Sequence, residues 1–182
     1  MYQLFKAKAE GVSAEVFRFA MCEEALDFII RFLQKEGVAD EPYASAVWAD
    51  SPFLKRIDRG ALEKIAGLKF AVTRESAAAA RFGISQMEWG LADTGTLVQN
   101  STAIAQRLVS SLTSIHIALV PTDGILPDMP TLLSRVRPEV CAYIAMITGP
   151  SRTADIERVL TIGVHGPERL VIVFVDELGG DN

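Results

Sequence analysis

Cysteine is scarce in this chain: there are two, Cys22 and Cys141, among 182 residues. Neither has a second cysteine or a histidine at metal-ligand spacing, so no zinc-site pattern is present. Two thiolates cannot make an all-cysteine iron-sulfur site. No cofactor and no metal are therefore expected within this chain. Histidine is equally rare, with only His116 and His165. Basic charge is in deficit, 18 Lys and Arg against 23 Asp and Glu for a formal net charge of -5. A sequence-independent nucleic-acid binder needs a basic face to displace counterions, so nucleic acid is excluded as an expected partner. Long apolar runs are missing too, and none approaches the roughly 20 residues of a spanning helix. The start, MYQLFKAKAEG, has no continuous apolar core of a secretory signal, so no membrane span and a cytoplasmic location are expected. The phosphate-binding order G-x-x-x-x-G-K-[ST], the dinucleotide fingerprint and the nucleophile elbow G-x-S-x-G are all absent.

What is present is a globular composition, 49% hydrophobic and 23% charged, in a length suited to one domain. A single domain over 1–182 is expected, with 1–11 a loosely held start or short helix. Ala14 to Phe19 reads as a strand, and Met21 to Gly37 as an amphipathic helix with Leu26, Ile29, Ile30 and Leu33 on one face. Glu23 and Glu24 suit its first turn and Lys35 its last. Ala44 to Ala49 reads as a second strand, and Pro52 opens a helical region carrying Leu54, Ile57, Leu62 and Ile65. Leu68 to Thr73 reads as a strand and Arg74 to Phe82 as an alanine-rich helix closed by Gly83. Such alternation predicts a mainly parallel sheet covered on both faces.

After Gly83 the pattern changes. Met87 to Ala92 and Leu97 to Gln99 are separated by so few residues that they predict an antiparallel hairpin. Ile115 to Val120 reads as a core strand, Asp128 to Val136 as a helix, and Cys141 to Ile147 as a buried strand. A helix is expected around Thr153 to Leu160, and Leu170 to Val175 is a continuous apolar run suited to a buried parallel strand. Trp48, Phe70 and Phe174 are core candidates.

The densest polar stretch is Ile147 to Gly166. Gly149 permits close backbone approach, Pro150 fixes a turn, and Ser151 or Thr153 can cap a helix whose free N–H groups would face an anion. Arg152 adds a planar fork for a carboxylate or phosphate. The alternative is a capped turn whose Arg152 pairs with Asp155 or Glu157. If Cys141 to Ile147 is a strand of the parallel sheet, this site lies at the carboxyl end, where open α/β sheets bind ligands. Asp93, Thr94, Gly95 and Thr96 form a second polar turn, either a ligand contact or a turn closed by side-chain hydrogen bonds. His165, beside a turn, is the better placed of the two histidines for acid-base work. His116, inside a strand, reads as structural.

The strings Asp93-Thr94-Gly95-Thr96-Leu97, Ile115-His116-Ile117-Ala118, Thr148 to Glu157 and Gly163-Val164-His165-Gly166-Pro167 resemble the LUD-domain family of lactate utilisation, in particular its short C-type subunit (the DUF162-like group). That resemblance implies a three-layer, Rossmann-like, mostly parallel sheet with an antiparallel insertion, like the ribose-phosphate isomerase and CoA-transferase fold. It implies a subunit of a system oxidising L-lactate to pyruvate, with iron-sulfur clusters in partner subunits and a small anionic ligand in a cleft. The ligand residues would be Gly149, Ser151, Arg152, Thr153, Asp155, Thr94, Gly95 and Thr96, and the catalytic candidates His165 and Asp93. Where the family usually carries Glu, this chain has Asp93, one methylene shorter, which weakens a covalent carboxylate mechanism. Alternatives are a stand-alone enzyme on a phosphosugar, CoA ester or folate-like substrate, and a non-catalytic interaction module. Self-association as a homodimer is left open.

Overall fold

A computed structural model gives the fold over residues 1–137, 139–154, 160–162 and 166–179. The elements run α1 (Tyr2–Gly11), β1 (Glu15–Phe19), α2 (Cys22–Lys35), β2 (Ser45–Trp48), α3 (Pro52–Arg56), a 3-10 turn (Arg59–Lys64), β3 (Leu68–Lys69), α4 (Arg74–Ala78) and β4 (Ala80–Gln86). They continue through β5 (Trp89–Leu91), β6 (Thr96–Asn100), α5 (Ile104–Leu112), β7 (Ile115–Pro121), β8 (Ile125–Leu126), α6 (Met129–Arg135), β9 (Ile144–Ile147), β10 (Arg152–Ala154), β11 (Leu160–Ile162) and β12 (Arg169–Val175).

Six strands form one parallel sheet in the order β1-β12-β7-β4-β2-β3. Alternation along each strand divides the core. Ala46, Trp48, Phe82, Ile84, Ile115, Ile117 and Val173 face α2, α3 and the 3-10 turn, meeting Ile29, Leu33, Phe53 and Leu62. Trp48 stacks on Phe53 with ring centroids 6.0 Å apart. Each such fully buried side chain contributes about 1.5–3 kcal/mol. The opposite face carries Val47, Ala49 and Ala80 against α4 and α5, and Ala118, Val120, Ile172 and Phe174 against α1 and a second sheet. That second sheet, β8-β5-β6-β9, is mixed, with β5 antiparallel to β6 and β6 antiparallel to β9. The mostly parallel α/β architecture and the antiparallel excursion after Gly83 are both present.

Several expectations are corrected. The start is not loosely held: α1 buries Phe5 and Ala9 completely, and Phe5 meets Phe174 edge-on at 5.0 Å. The alanine-rich helix stops at Ala78, and Ala80 to Gln86 is a central strand. Gly83 does not end a helix. It lies inside β4, where a Cβ would come within 2.5 Å of Thr113 Oγ1 and 2.8 Å of the Val109 carbonyl. Helix α5 can therefore press directly on the strand. The expected buried strand from Cys141 shortens to β9 and belongs to the second sheet, half-buried, with Met146 exposed. The helix expected around Thr153 to Leu160 is overturned at both ends, because Arg152–Ala154 and Leu160–Ile162 pair as antiparallel strands. Phe70 is only half-buried, with Arg59 over its ring at 5.6 Å.

Candidate functional site

Two parts of the sequence-predicted site come together. Thr96 Oγ1 and Thr148 Oγ1 are hydrogen-bonded at 2.8 Å, because β6 begins where β9 ends, with Leu97 opposite Ile147. Gly149, at φ 72°, and Gly95, at φ 69°, use the left-handed conformation that glycine tolerates best. Both press on the N-terminal segment: a Cβ on Gly149 would meet the Val12 carbonyl at 2.7 Å, and one on Gly95 the Ala9 backbone nitrogen at 2.4 Å. Asp93 and Thr94 are exposed, and the Asp93 N–H donates to the Pro127 carbonyl at 3.2 Å.

Arg152 is built into the same junction. Its Nη2 donates to the Val12 carbonyl at 2.8 Å and to Ser13 Oγ at 2.6 Å, and the Ser151 N–H donates to the Pro167 carbonyl at 2.7 Å. Val12 and Ser13 precede β1, and Pro167 precedes β12, so this junction lies at the amino end of the parallel sheet. Its expected place at the carboxyl end is thereby corrected. The reason is β9, which is antiparallel to β6 in the second sheet rather than a strand of the first. Thr153 contributes its backbone to β10. Asp155 and His165 lie outside the described residues, so the expected approach of His165 to Arg152 does too.

A buried polar network that the sequence reading missed runs from His116, near the amino end of β7, to Ser85 near the carboxyl end of β4 and beyond it. Ser85, Gln99, Ser101 and His116 are completely buried polar side chains. Ser85 Oγ and His116 Nε2 are 2.8 Å apart. Gln99 Nε2 lies 3.1 Å from Ser85 Oγ, 3.1 Å from the Gln86 carbonyl and 3.0 Å from Gln106 Oε1, while its Oε1 accepts from Ser101 Oγ at 2.9 Å. Gln106 in turn donates to the Asp50 carbonyl at 3.0 Å. The network thus runs from a sealed histidine out to the loop after β2. Among the described residues His116 Nδ1 has no partner, and burial pushes its pKa down to about 4. Glu88, after β4, accepts from the Asn100 N–H. Burial raises its pKa despite that bond. The missed signal was polarity at core positions: Gln99 in Thr96-Leu97-Val98-Gln99, and Ser85 and His116 in otherwise apolar strands. Among the described residues no group of three or more His, Cys, Asp and Glu side chains could hold a metal ion.

The sequence profile of the LUD domain matches residues 2–175. The chain belongs to the LUD domain family. Among curated relatives, lactate utilization protein C of Bacillus subtilis (strain 168) is 38% identical over 104 residues, which cover 54% of this chain and 43% of that protein. Lactate utilization protein C of Anoxybacillus flavithermus is 35% identical over 104 residues, covering 57% of this chain and 47% of that one. The matched segment therefore spans somewhat under half the length of these relatives. A crystal structure of a DUF162 family protein from Deinococcus radiodurans superposes with a TM-score of 0.65 at 18% identity, covering 96% of this chain and 95% of that one. That similarity supports the LUD-domain fold and says nothing about a ligand. No helix among the described residues is long and apolar enough to cross a membrane.

Proposed function

We propose that this LUD-domain chain is a subunit of a lactate-utilisation system, supporting oxidation of L-lactate to pyruvate. The observation that carries the reading is its similarity, at 38% and 35% identity, to two proteins named lactate utilization protein C. Converting a 2-hydroxy acid to a 2-oxo acid removes two electrons and two protons, and ordinary side chains do not store a hydride. Both cysteines are free, Cys22 opening α2 and Cys141 preceding β9. Electron transfer is accordingly assigned to partner subunits carrying iron-sulfur clusters, and this chain to binding a small anionic ligand. Two positions serve for that ligand: the junction of Arg152 with the Thr148 turn and Thr94 to Thr96, and the carboxyl end of the parallel sheet.

Deleting the gene tests the reading. Growth on L-lactate as sole carbon source is expected to fail and to return with the gene supplied in trans, and affinity purification of the tagged chain is expected to bring down cysteine-rich subunits. Unimpaired growth on L-lactate refutes it. Turnover of a phosphosugar or CoA ester by the isolated chain would favour a stand-alone enzyme instead.

A further inference from the structure

A strand at the edge of a sheet leaves a row of backbone groups unpaired, and folded chains blunt such edges with charge, proline or shortness. The two larger sheets have four edges, β1 and β3 in one and β8 and β9 in the other. Three of them are blunted. β1 carries Glu15 and Arg18. β3 is Leu68–Lys69, two residues ending on a lysine. β8 is Ile125–Leu126, two residues followed by Pro127. β9, Ile144–Ile147, has no charge and no proline, and no charged residue occurs from Val140 to Ser151. Among the described residues its only strand partner is β6.

Register fixes which groups of β9 are left over. The Ser101 N–H donates to the Tyr143 carbonyl at 2.9 Å, and Gln99 and Leu97 stand opposite Ala145 and Ile147. Hydrogen-bonded and non-bonded pairs alternate along an antiparallel ladder, so Tyr143, Ala145 and Ile147 turn their backbone groups to β6. Ile144 and Met146 turn both N–H and C=O outward. Side chains alternate as well, with Ile147 packed towards the first sheet and Ile144 towards α6. Met146, on the side of Ile144, is 45% exposed, and Tyr143, on the side of Ile147, is 50% exposed. The Tyr143 ring is held under Arg107 of α5, whose guanidinium lies 5.0 Å from its centroid.

We infer that β9 pairs antiparallel with β9 of a second copy of this chain, about a two-fold axis between the two Ala145 residues. The pairing joins two four-stranded sheets into one of eight strands. The outward groups fit themselves. The axis sets Ile144 opposite Met146 of the second copy and Met146 opposite its Ile144, so both outward-facing pairs exchange N–H···O=C bonds. An isologous contact needs such self-complementarity, and a strand free of charge meets no like charge when opposed to itself. Ala145 falls at the close, non-hydrogen-bonded pair on the axis, where Cα atoms come within about 4.5 Å, and its small side chain suits that spacing. Ile144 and Met146 of both copies form one apolar cluster on the outer face. On the inner face each Tyr143 meets Ile147 of the second copy, next to Thr148 and hence next to one of the two positions for the anionic ligand. The pairing does not depend on the lactate-utilisation reading.

Sedimentation equilibrium of the full chain across micromolar concentrations tests this. Wild type is expected to show a reversible monomer–dimer equilibrium. Met146→Pro removes an N–H that faces away from β6, a place where an edge strand tolerates proline, and so deletes one hydrogen bond from each copy. It is expected to weaken the dimer by roughly tenfold or more with the far-ultraviolet spectrum unchanged. Met146→Lys, which blunts the edge with charge, is expected to do the same. Disulfide trapping fixes the register and decides the matter if Met146→Pro fails to fold. Ala145→Cys is expected to cross-link two copies on oxidation, because the axial pair lies within the Cα separation of about 4.4–6.8 Å that a disulfide spans. Met146→Cys, whose copy lies two positions along the facing strand, is expected not to. The inference is overturned if wild type is monomeric throughout that range, if the dimer persists unweakened in Met146→Pro and Met146→Lys, or if Met146→Cys cross-links in place of Ala145→Cys. A monomeric wild type that captures a different protein, lost on Met146→Lys, also overturns self-pairing and assigns the edge to that partner.

Discussion

His116 ties part of the acid stability to a buried proton site in β7. Its ring is completely buried in β7, Nε2 meets Ser85 Oγ and Nδ1 has no hydrogen-bond partner among the described residues. An imidazolium donates from both nitrogens, and this site offers one oxygen, already approached by Gln99. The folded chain therefore takes up the proton only near pH 4, against 6.5 for an ordinary histidine. Between those values the unfolded chain binds more protons than the folded one, so folding stability falls as the pH is lowered through 6.5 and the loss is complete below 4. The linkage is about 3 kcal/mol. Urea unfolding of wild type and His116→Gln from pH 7.5 to 4 measures it, because glutamine keeps an amide beside Ser85 and does not titrate. Other acid-sensitive groups, including the Arg18–Asp176 pair and Glu88, are common to both proteins and cancel in the difference. The stability of wild type relative to the variant is expected to drop by about 3 kcal/mol across the window. A difference that stays constant with pH refutes the reading of His116 as a sealed, neutral residue.

Three further outcomes follow from the packing. Phe5→Ala is expected to cost about 3–5 kcal/mol in a denaturant titration, since the ring is fully buried against Phe174; a cost below about 1 kcal/mol would show that α1 is not docked. Gly83→Ala is expected to lose about 1–3 kcal/mol by pushing β4 off α5, because its methyl would strike Thr113 and the Val109 carbonyl, and a neutral result contradicts that contact. Arg152→Ala removes the bonds to Val12 and Ser13, so amide exchange in the α1–β1 junction is expected to quicken while the β7 and β12 amides stay protected. Unchanged exchange at Val12 to Ala14 would refute its bracing of the N-terminal segment.

Much of the architecture was legible as periodicity. The apolar alternation of β1 and the continuous apolar runs of β7 and β12 read directly as strands, and the helical face of α2 was unambiguous. Ala77 to Ala80 misled because alanine propensity favours a helix while the following Arg-Phe-Gly-Ile-Ser needs its place in the sheet centre, and tertiary pairing decided. Gly83 has two physical uses, stopping a helix and admitting a close neighbour, and local sequence does not distinguish them. The Thr148 to Arg152 turn was legible as a special structure, and its contact with Thr96 agrees with the expected nearness of the two turns. Its location was not legible, because an apolar strand such as Ile144 to Ile147 carries no mark of the sheet it joins.

The place of the ligand is tested most directly by following backbone amide resonances of the isotopically labelled chain during addition of L-lactate. Saturable shifts are expected at one of the two positions assigned to the ligand, Thr94 to Thr96 with Thr148 to Arg152 or the carboxyl end of the parallel sheet around Ala49 to Phe53 and Gln106. No saturable shift at either position would contradict the assignment of a small anionic ligand to this chain.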